Sequence, residues 1–284
     1  TMIYGDGRFG DQPGAIGWLV GQENRGLACM FTMMNNARLC VGVQGVAVAE
    51  AAYQKALAHA RERRQGRAPG REGEGMSPIL AHPDIKRMLL TMKVMTKAAR
   101  ALAYCCAHAL DMARLGSGAE RDHWQQRADL LTPVAKAFPT DVGVEVASLG
   151  VQVHGGMGYI EETGAAALLR DARIAPIYEG TNGIQAIDLV MRKLPRSDGE
   201  VVRAYIAELR GQAEAARGAN IPELGATGNR LLAALDDLKQ ATNHLLQLLG
   251  EGRAEEALCG AAPYLRLFAL AACGTMLARG ALSS

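Results

Sequence analysis

The segment "IAPIYEGTNGIQ", residues 174–185, holds one carboxylate that stands apart from any charged run. Apolar residues up to Tyr178 precede Glu179, and the flexible, hydroxyl-bearing turn "GTNG" follows it. Such neighbours can hold a carboxylate in a partly dry site, where its pKa departs from the usual range and it can act as a base. The alternative is a structural interpretation, in which Thr181 or Asn182 caps the next helix and Glu179 is an ordinary loop residue. These residues alone leave both interpretations open.

Two further segments have residues that could bind a ligand. In "HGGMG", Gly155 and Gly156 would let backbone amides approach a ligand closely, although a helix end followed by a tight connection explains the same glycines. His154 before them is a candidate ligand or base, but a lone histidine at a helix end is more often a structural hydrogen-bonding residue. In "RERRQGR", Arg63 and Arg64 could hold a phosphate in a forked geometry, or they could be the solvated end of a basic helix.

The segment "GDGRFG", residues 5–10, matches the dinucleotide-binding pattern G-x-G-x-x-G letter for letter. That pattern binds a dinucleotide only where a strand precedes it and a helix follows it. Here only four residues precede the pattern and "DQPGAIG" follows it, so we interpret the segment as a turn.

The composition favours packed helices. Apolar residues make up 49% of the 284 residues, charged residues 21% and aromatic residues 5%. Such a chain can bury a substantial core, and its abundant Ala, Leu and Met favour helices over sheets. The formal net charge of +2 argues against a nucleic-acid partner. No uninterrupted apolar run approaches the ~20 residues that a membrane helix needs, so we expect no membrane span.

The six cysteines form neither a metal-binding nor a disulfide pattern. None of them belongs to a C-x-x-C pair, and all lie in apolar, helix-like surroundings. We therefore expect no metal site, and instead buried free thiols in a reducing compartment, which indicates a cytoplasmic protein. The cysteines are Cys29, Cys40, Cys105, Cys106, Cys259 and Cys273.

Hydrophobic periodicity divides the chain into a short non-helical start and a long helical remainder. Residues 1–22 alone have strand-and-turn character, and we interpret them as the remnant of a β-domain. Residues 23–195 are predicted to form a bundle of long antiparallel helices. Residues 196–284 are predicted to form a further helical extension, with Ser197 as the cap of its first helix. The predicted fold class is therefore mainly α.

Within this helical remainder the sequence predicts three long helices and several shorter ones. The first begins near Leu27 and ends in "HARERRQGR", the second closes at "LGSG", and the third bends at Pro133 and Pro139. The loop at residues 66–80 is predicted to be mobile because it is rich in glycine and charge, and "HGGMGYIEETG" is predicted to be a loop. Shorter helices are predicted at residues 165–173, 182–193, 199–217, 222–250 and 252–280.

Taken together and in this order, several segments resemble the flavin-dependent acyl-CoA dehydrogenases. The resemblance covers roughly residues 15–195, and the last two segments at their spacing are its most specific part. It implies the end of the family's middle β-domain and its C-terminal helical bundle, as a fragment of a protein about twice as long. Residues 196–284 resemble the extra helical extension of a large bacterial subgroup, of the methylthiopropanoyl-CoA dehydrogenase type. The segments are "GWLVGQENRGLACMF", "NNARLCVGVQG", "RERRQGR", "VQVHGGMGYIEETG" and "LLRDARIAPIYEGTNGIQ".

The resemblance implies that the protein oxidises an acyl-CoA to a trans-2-enoyl-CoA, with FAD as its cofactor. In this family a carboxylate removes the proton next to the thioester carbonyl while the β-hydride goes to the flavin, and Glu179 lies where the family has this base. Some relatives place the base on the first long helix instead, where this chain has Ala37 before Arg38. Alanine cannot accept a proton, so Glu179 is the candidate base.

The resemblance also implies which residues bind the substrate and the cofactor. Gly180 would lie against the acyl-CoA substrate, with Arg38 near the active site. It further implies a homo-oligomer, a dimer or a tetramer, and an electron-transfer flavoprotein as the electron acceptor. The residues expected at FAD are Thr181, Asn182 and Gly183 at the flavin, Arg63 and Gln65 at the phosphates across a subunit interface, and Gln152, Gly155 and Gly156 beside the adenosine half.

Two other classes of protein stay open as alternatives. One is a non-dehydrogenase relative of the same fold, such as the alkylation-response type that binds DNA, and the near-neutral charge argues against it. The other is a helical assembly module that has no catalytic activity on its own.

Overall fold

The computed structural model describes residues 18–19, 21–70, 75–219 and 221–283. Helices make up 83% of the structure, which confirms the predicted mainly α fold. Within the described ranges the one strand-like pairing is an isolated bridge between Arg64 and Pro78. Most of the predicted β-domain remnant, residues 1–22, lies outside the described residues, and so do residues 71–74 of the loop that is predicted to be mobile.

Three long helices run up, down and up in the first part of the chain. They are α1 (Gly26–Glu62), α2 (Pro83–Leu115) and α3 (Gly118–His154). α2 starts with Pro83 in its first turn, where the missing N–H of proline costs nothing. α1 and α3 run parallel to each other, since Gly42 lies beside Ala135 and Ala52 lies beside Gly150. α2 therefore runs antiparallel to both.

α1 and α3 approach each other so closely that no side chain fits between them at two positions. A Cβ atom at Gly42 would lie 1.9 Å from the carbonyl oxygen of Ala135, and one at Gly45 would lie 2.4 Å from that of Pro139. α3 continues through both of its prolines. Because Pro139 has no N–H to donate to the Ala135 carbonyl one turn earlier, this carbonyl has no partner in the helical ladder. The glycines of α1 pack against this part of α3.

Shorter helices follow α3 and lead into the loop that holds Glu179. They are α4 (Gly156–Tyr159), a 3-10 turn (Glu161–Thr163), α5 (Ala165–Ile174) and α6 (Asn182–Asp188), which continues as a π-helical turn (Leu189–Lys193). The predicted helices at residues 165–173 and 182–193 are confirmed. The prediction of a loop for "HGGMGYIEETG" is wrong in part, because the chain resumes one turn of helix directly after Gly155, which has a φ of 63°.

The last part of the chain is helical, as predicted. Its elements are a 3-10 turn (Arg196–Gly199), α7 (Glu200–Gly218), a 3-10 turn (Pro222–Leu224), α8 (Thr227–Gly250), α9 (Ala254–Cys259) and α10 (Ala261–Leu282). The helix predicted at residues 252–280 is broken at Gly260 into α9 and α10. The prediction that Ser197 caps α7 is wrong. Ser197 has a left-handed backbone, with a φ of 49°, and the residue before α7 is Gly199.

α7, α8 and α10 enclose a core of aliphatic and aromatic side chains. Phe268 on α10 is fully buried, and its ring lies 5.7 Å from that of Tyr205 on α7. The buried hydroxyl of Thr242 on α8 is paired with the hydroxyl of Tyr264, at 2.7 Å. α10 also packs against α2, which joins this core to the long helices.

α10 is the one helix in the described part of the chain that is long and apolar enough to cross a membrane. In its most apolar window 56% of the residues are buried inside the protein, where the helix packs against α2, α7 and α8. The absence of a membrane span therefore stays a prediction.

The cysteines are free thiols, but the expectation that they are buried is wrong for three of them. Cys29, Cys40 and Cys259 are exposed, whereas Cys106 and Cys273 are buried. The reason is that an apolar sequence neighbourhood does not decide which face of a helix a residue occupies.

Candidate functional site

The loop between α5 and α6, residues 175–181, holds Glu179 in an unusual backbone conformation. Glu179 has a φ of 55° and Gly180 a φ of 83°, so two successive residues are left-handed. For a residue with a Cβ atom this conformation is strained and needs support from its surroundings. Part of that support is a hydrogen bond from the hydroxyl of Tyr178 to the side chain of Gln44 on α1. The Glu179 side chain is half-buried.

Gly180 packs against the side chains that lie beneath the loop. A Cβ atom at Gly180 would lie 2.7 Å from Nε2 of Gln185 and 3.9 Å from the Arg38 guanidinium. Gln185 is fully buried and donates a hydrogen bond from Nε2 to the Gly180 carbonyl oxygen, at 3.2 Å. Gly180 is therefore required both by its φ and by the absence of space for a side chain.

Thr181 and Asn182 have different tasks at the start of α6. The hydroxyl of Thr181 accepts a hydrogen bond from the backbone N–H of Ile184, at 3.3 Å, so Thr181 is the cap of α6 as the structural interpretation predicts. Thr181 and Gly183 are exposed. The amide group of Asn182 instead turns toward α3, where it donates to the Asp141 carboxylate, at 2.7 Å.

Lys136 of α3 lies fully buried beneath the same loop, with an exposed fraction of 0%. Its Nζ donates to the carbonyl oxygen of Ala175, at 2.9 Å, and to Oδ1 of Asn182, also at 2.9 Å. Burial lowers the pKa of Lys136 to about 8, although the nearby carboxylates of Asp141 and Glu179 favour its charged form. Sequence reasoning missed this residue, and the signal for it was a single lysine within the apolar helical run "TPVAKAFPT".

Arg38 of α1 completes the polar interior next to Gly180. It is buried and pairs with the buried Asp188 of α6, with Nη1 and Oδ2 3.4 Å apart. Its Nε has no hydrogen-bond partner among the described residues, and neither has Oε1 of Gln185. Buried polar atoms are normally paired, so two such atoms near Gly180 are consistent with a polar ligand at this place.

The other predicted cofactor-binding residues gather in a groove at the C-terminal ends of α1 and α3. The groove has a volume of about 720 Å³. Gly155 and Gly156 face open space, because nothing lies within 4 Å of a Cβ atom built on either. The predicted residues that line this groove are Arg63, Gln65, Gln152, Gly155 and Gly156.

The groove contains a positively charged group, the Arg63 guanidinium, that could bind a ligand. The Arg63 guanidinium is exposed, and within the described residues it makes no hydrogen bond or ion pair. Arg64 by contrast donates to the carbonyl oxygen of Met76, at 3.2 Å, so it fastens the neighbouring loop. An unpaired guanidinium beside open glycines can bind a phosphate.

Two histidines form the floor of the groove. The rings of His59 and His154 stack with their centroids 4.4 Å apart. Nδ1 of His154 is 2.7 Å from the carbonyl oxygen of Gly150, so this residue is a structural hydrogen-bonding residue at a helix end. Burial, and then the neighbouring His154, lower the pKa of His59. In the described part of the chain no group of His, Cys, Asp and Glu residues is arranged to hold a metal ion.

The structure thus brings the predicted site residues together in two separate groups. The Glu179 loop lies over Lys136, in the middle of α3, whereas the groove lies at His154, the last residue of α3. The 18 residues between these two positions of α3 correspond to a distance of roughly 27 Å. A single small ligand cannot contact both groups within one copy of the chain.

Comparison with known proteins accounts for both helical parts of the chain. A family model described as "Acyl-CoA dehydrogenase, C-terminal domain" matches residues 24–194, and one described as "Acetyl-CoA dehydrogenase C-terminal like" matches residues 200–284. The chain is 45% identical over 274 residues to the 3-methylmercaptopropionyl-CoA dehydrogenase of Ruegeria pomeroyi, which covers 95% of this chain and 46% of that protein.

Solved structures share the fold. ACDH-11 of Caenorhabditis elegans, in complex with C11-CoA, superposes with a TM-score of 0.75 at 23% identity, over 93% of this chain and 42% of that one. An acyl-CoA dehydrogenase from Bacillus anthracis, complexed with FAD, superposes with a TM-score of 0.71 at 19% identity, over 93% of this chain and 45% of that one. The chain thus spans less than half the length of these relatives. Since the first family model alone matches more than half of the chain, the chain belongs to the acyl-CoA dehydrogenase family.

Proposed function

We propose that the full-length protein oxidises an acyl-CoA to a trans-2-enoyl-CoA, with Glu179 as the base that removes the α-proton. The observation that carries this proposal is the conformation of Glu179: a half-buried carboxylate in a left-handed backbone, in a loop held from beneath by buried hydrogen bonds. Backbone strain of this kind persists where the position of a side chain matters. A general base needs a fixed position within hydrogen-bonding reach of the proton that it accepts.

The residues around Glu179 each have a task in this reaction. The backbone of Gly180 would lie against the thioester, next to the carboxylate. Arg38 lies next to Gly180 with its Nε unpaired, and could pair with a polar group of the substrate. The apolar side chains of Ile177 and Ile184 are exposed beside the loop and would exclude water once a substrate covers them.

FAD fits the two groups of residues that the structure brings together. When bound, it would accept the β-hydride of the substrate. Thr181 and Gly183 are exposed beside Glu179 and would hold the flavin end, whereas Asn182 can contribute only its backbone, since its amide is bonded to α3. The groove with the unpaired Arg63 guanidinium would hold the phosphates and the adenosine half, through Gln65, Gln152, Gly155 and Gly156.

The separation of the two groups supports a homo-oligomer, a dimer or a tetramer. Roughly 27 Å along α3 is too far for both groups to bind one flavin within one copy of the chain. One subunit would therefore supply the Glu179 loop, and a second subunit would supply the groove. We also propose an electron-transfer flavoprotein as the electron acceptor and a cytoplasmic location.

The test is anaerobic mixing of the full-length, flavin-containing protein with a panel of acyl-CoAs. The panel includes butanoyl-CoA, octanoyl-CoA and 3-(methylthio)propanoyl-CoA, the last because of the name of the Ruegeria pomeroyi relative. We expect loss of the flavin's visible absorbance and formation of a 2-enoyl-CoA, read by mass spectrometry, with at least one substrate. Flavin that stays oxidised with every substrate, together with salt-dependent binding of duplex DNA, would favour the DNA-binding relative instead.

A further inference from the structure

Lys136 connects the two ends of the loop that holds Glu179. Its Nζ donates to the carbonyl oxygen of Ala175, the first residue after α5, and to Oδ1 of Asn182, the first residue of α6, in each case at 2.9 Å. The backbone N–H of Asn182 also donates to the carbonyl oxygen of Pro176, at 3.0 Å. The loop is therefore closed at its base, and Glu179 lies between the two positions that are tied together.

Asn182 extends this connection into α3. Its amide nitrogen donates to Oδ1 of Asp141, at 2.7 Å, and is 2.9 Å from the Thr140 hydroxyl and 3.1 Å from the Ala137 carbonyl oxygen. Its oxygen accepts from Lys136. The oxygen and the nitrogen of the Asn182 side-chain amide thus both bond to one stretch of α3. These bonds fix the start of α6 relative to that helix.

A lysine is a costly way to fill this space. A fully buried ammonium group loses its hydration, at an effective cost of several kcal/mol before its partners compensate. The charged groups that act on it are Asp141 on α3, Arg38 on α1 and Glu179 on the loop. An apolar side chain of the same length would fill the volume without this cost, so the hydrogen bonds to both ends of the loop are what the lysine provides.

We propose that Lys136 is a positioning residue for Glu179, which sets the location of the carboxylate by holding Ala175 and Asn182 together. This inference rests on the proposed function, in which Glu179 is the base. Lys136 itself does not touch the substrate. It acts on the reaction only through the shape of the loop.

The test compares Lys136→Met, which keeps an unbranched side chain of nearly the same length and removes its donors, with Lys136→Arg, which keeps donors. Both are made in the full-length, flavin-containing protein. A shift of about 1 Å in a reacting group can cost roughly 10²-fold in rate. For Lys136→Met we expect kcat to fall by about that factor with little change in KM. Hydrogen exchange of the amides at residues 177–181 should accelerate at least about 10-fold, as expected when a local structure opens more easily. Lys136→Arg should recover part of both.

A matched control separates positioning from a general loss of stability. Thr242 is also fully buried and hydrogen-bonded, but it lies in the core of the C-terminal helices. Thr242→Val should lower the free energy of unfolding while loop exchange and kcat stay as in the wild type. The proposal is overturned if Lys136→Met leaves either loop exchange or kcat unchanged, or if Thr242→Val changes both as much.

Failure of the inference can be told apart from failure of the proposed function. If Glu179→Gln turns over normally, Glu179 is not the base and the proposed function falls. In that case the amide hydrogen exchange of residues 177–181 in Lys136→Met still shows whether Lys136 holds the loop.

Discussion

Beneath the Glu179 loop, charged and amide side chains fill the space between α1, α3 and α6, whereas aliphatic and aromatic side chains fill the space between α7, α8 and α10. The first interior contains Lys136, Arg38 and Asp188, all buried, and two of its polar atoms, Nε of Arg38 and Oε1 of Gln185, have no partner among the described residues. The second contains the paired hydroxyls of Thr242 and Tyr264 and the hydroxyl of Tyr205, unpaired within the described ranges, in a mostly apolar cluster around α10.

The difference between the two interiors separates stability from position. Apolar contact contributes most of the free energy of folding and tolerates small displacements, since it has no preferred direction. Buried charges contribute little net stability, but their hydrogen bonds fix directions and distances. Buried polar side chains therefore lie where we propose catalysis. Buried apolar side chains lie where the chain needs only stability. The predictions below test this division.

The largest effect is expected from Glu179→Gln in the full-length protein. Glutamine keeps the shape of the side chain but cannot accept the α-proton, and the loss of a general base typically costs ~10²–10⁴-fold in rate. We expect kcat to fall to the far end of that range, because Ala37 offers no second base. Thermal unfolding and flavin content should stay near those of the wild type, as read by calorimetry and absorbance. Near-normal turnover with flavin bound would show that the base lies elsewhere.

Phe268→Ala should lower the stability of the protein and leave kcat unchanged, the reverse of Glu179→Gln. Phe268 is fully buried in the core of the C-terminal helices, and truncation of a buried phenylalanine costs about 3–5 kcal/mol. We expect urea unfolding to report a loss of that size, with kcat retained under conditions where the variant stays folded. Leu270→Ala on the same helix is the control, since Leu270 is 43% exposed and should cost far less. Equal losses for the two variants would contradict the packing of α10.

The buried lysine should give the polar interior a pH dependence that the apolar one lacks. The folded-state pKa of Lys136 is about 8, below its usual value of 10.5, because burial disfavours the charge. Between these values the unfolded chain binds more protons than the folded chain, so this residue makes the free energy of unfolding rise with pH across that window, by a few kcal/mol in total. The free energy of unfolding, measured with denaturant at several pH values between 8 and 10.5, should rise more steeply with pH for the wild type than for Lys136→Met. The same pH dependence of the free energy of unfolding in both proteins would mean that the lysine is not desolvated.

Gly42→Ala tests whether the helices beneath the polar interior are held at a fixed distance. The added methyl group would lie 1.9 Å from the Ala135 carbonyl oxygen, and overpacking of this kind costs about 1–3 kcal/mol. Gly211→Ala on α7 is the matched control, since nothing lies within 4 Å of its added Cβ atom. In a helix with free space this change should stabilise the protein by up to about 1 kcal/mol. Chemical unfolding of both variants should therefore give changes of opposite sign.

The long helices could be predicted from the sequence because apolar residues at helical spacing recur over many turns. The shorter helices at residues 165–173 and 182–193 could be predicted from their apolar spacing as well. The prediction for Ser197 failed because serine is a common helix cap, and its sequence neighbours did not indicate the left-handed backbone that it shares with Asp198. The cysteines were misjudged because sequence spacing does not show which helix faces find a partner.

Only part of the candidate site could be predicted from the sequence. Glu179, Arg38 and the residues of the groove could be named through the resemblance of their motifs to a family. Lys136 could not, because its partners Ala175 and Asn182 are 39 and 46 residues away and an isolated lysine in a helix usually reaches solvent. Long-range pairing of this kind becomes visible only in three dimensions.

The π-helical turn after α6 constrains how the sequence of this protein can change in length. At Leu189–Lys193 the helix winds wider, and the N–H of Leu194 bonds back to the carbonyl oxygen of Leu189 across one residue more than in an α-helix. Deletion of one residue in this stretch would restore a regular helix and turn everything after it by about 100° around the helix axis. α10 would then lose its packing against α2. A descendant that loses a residue here can keep its architecture only by gaining one before Glu200.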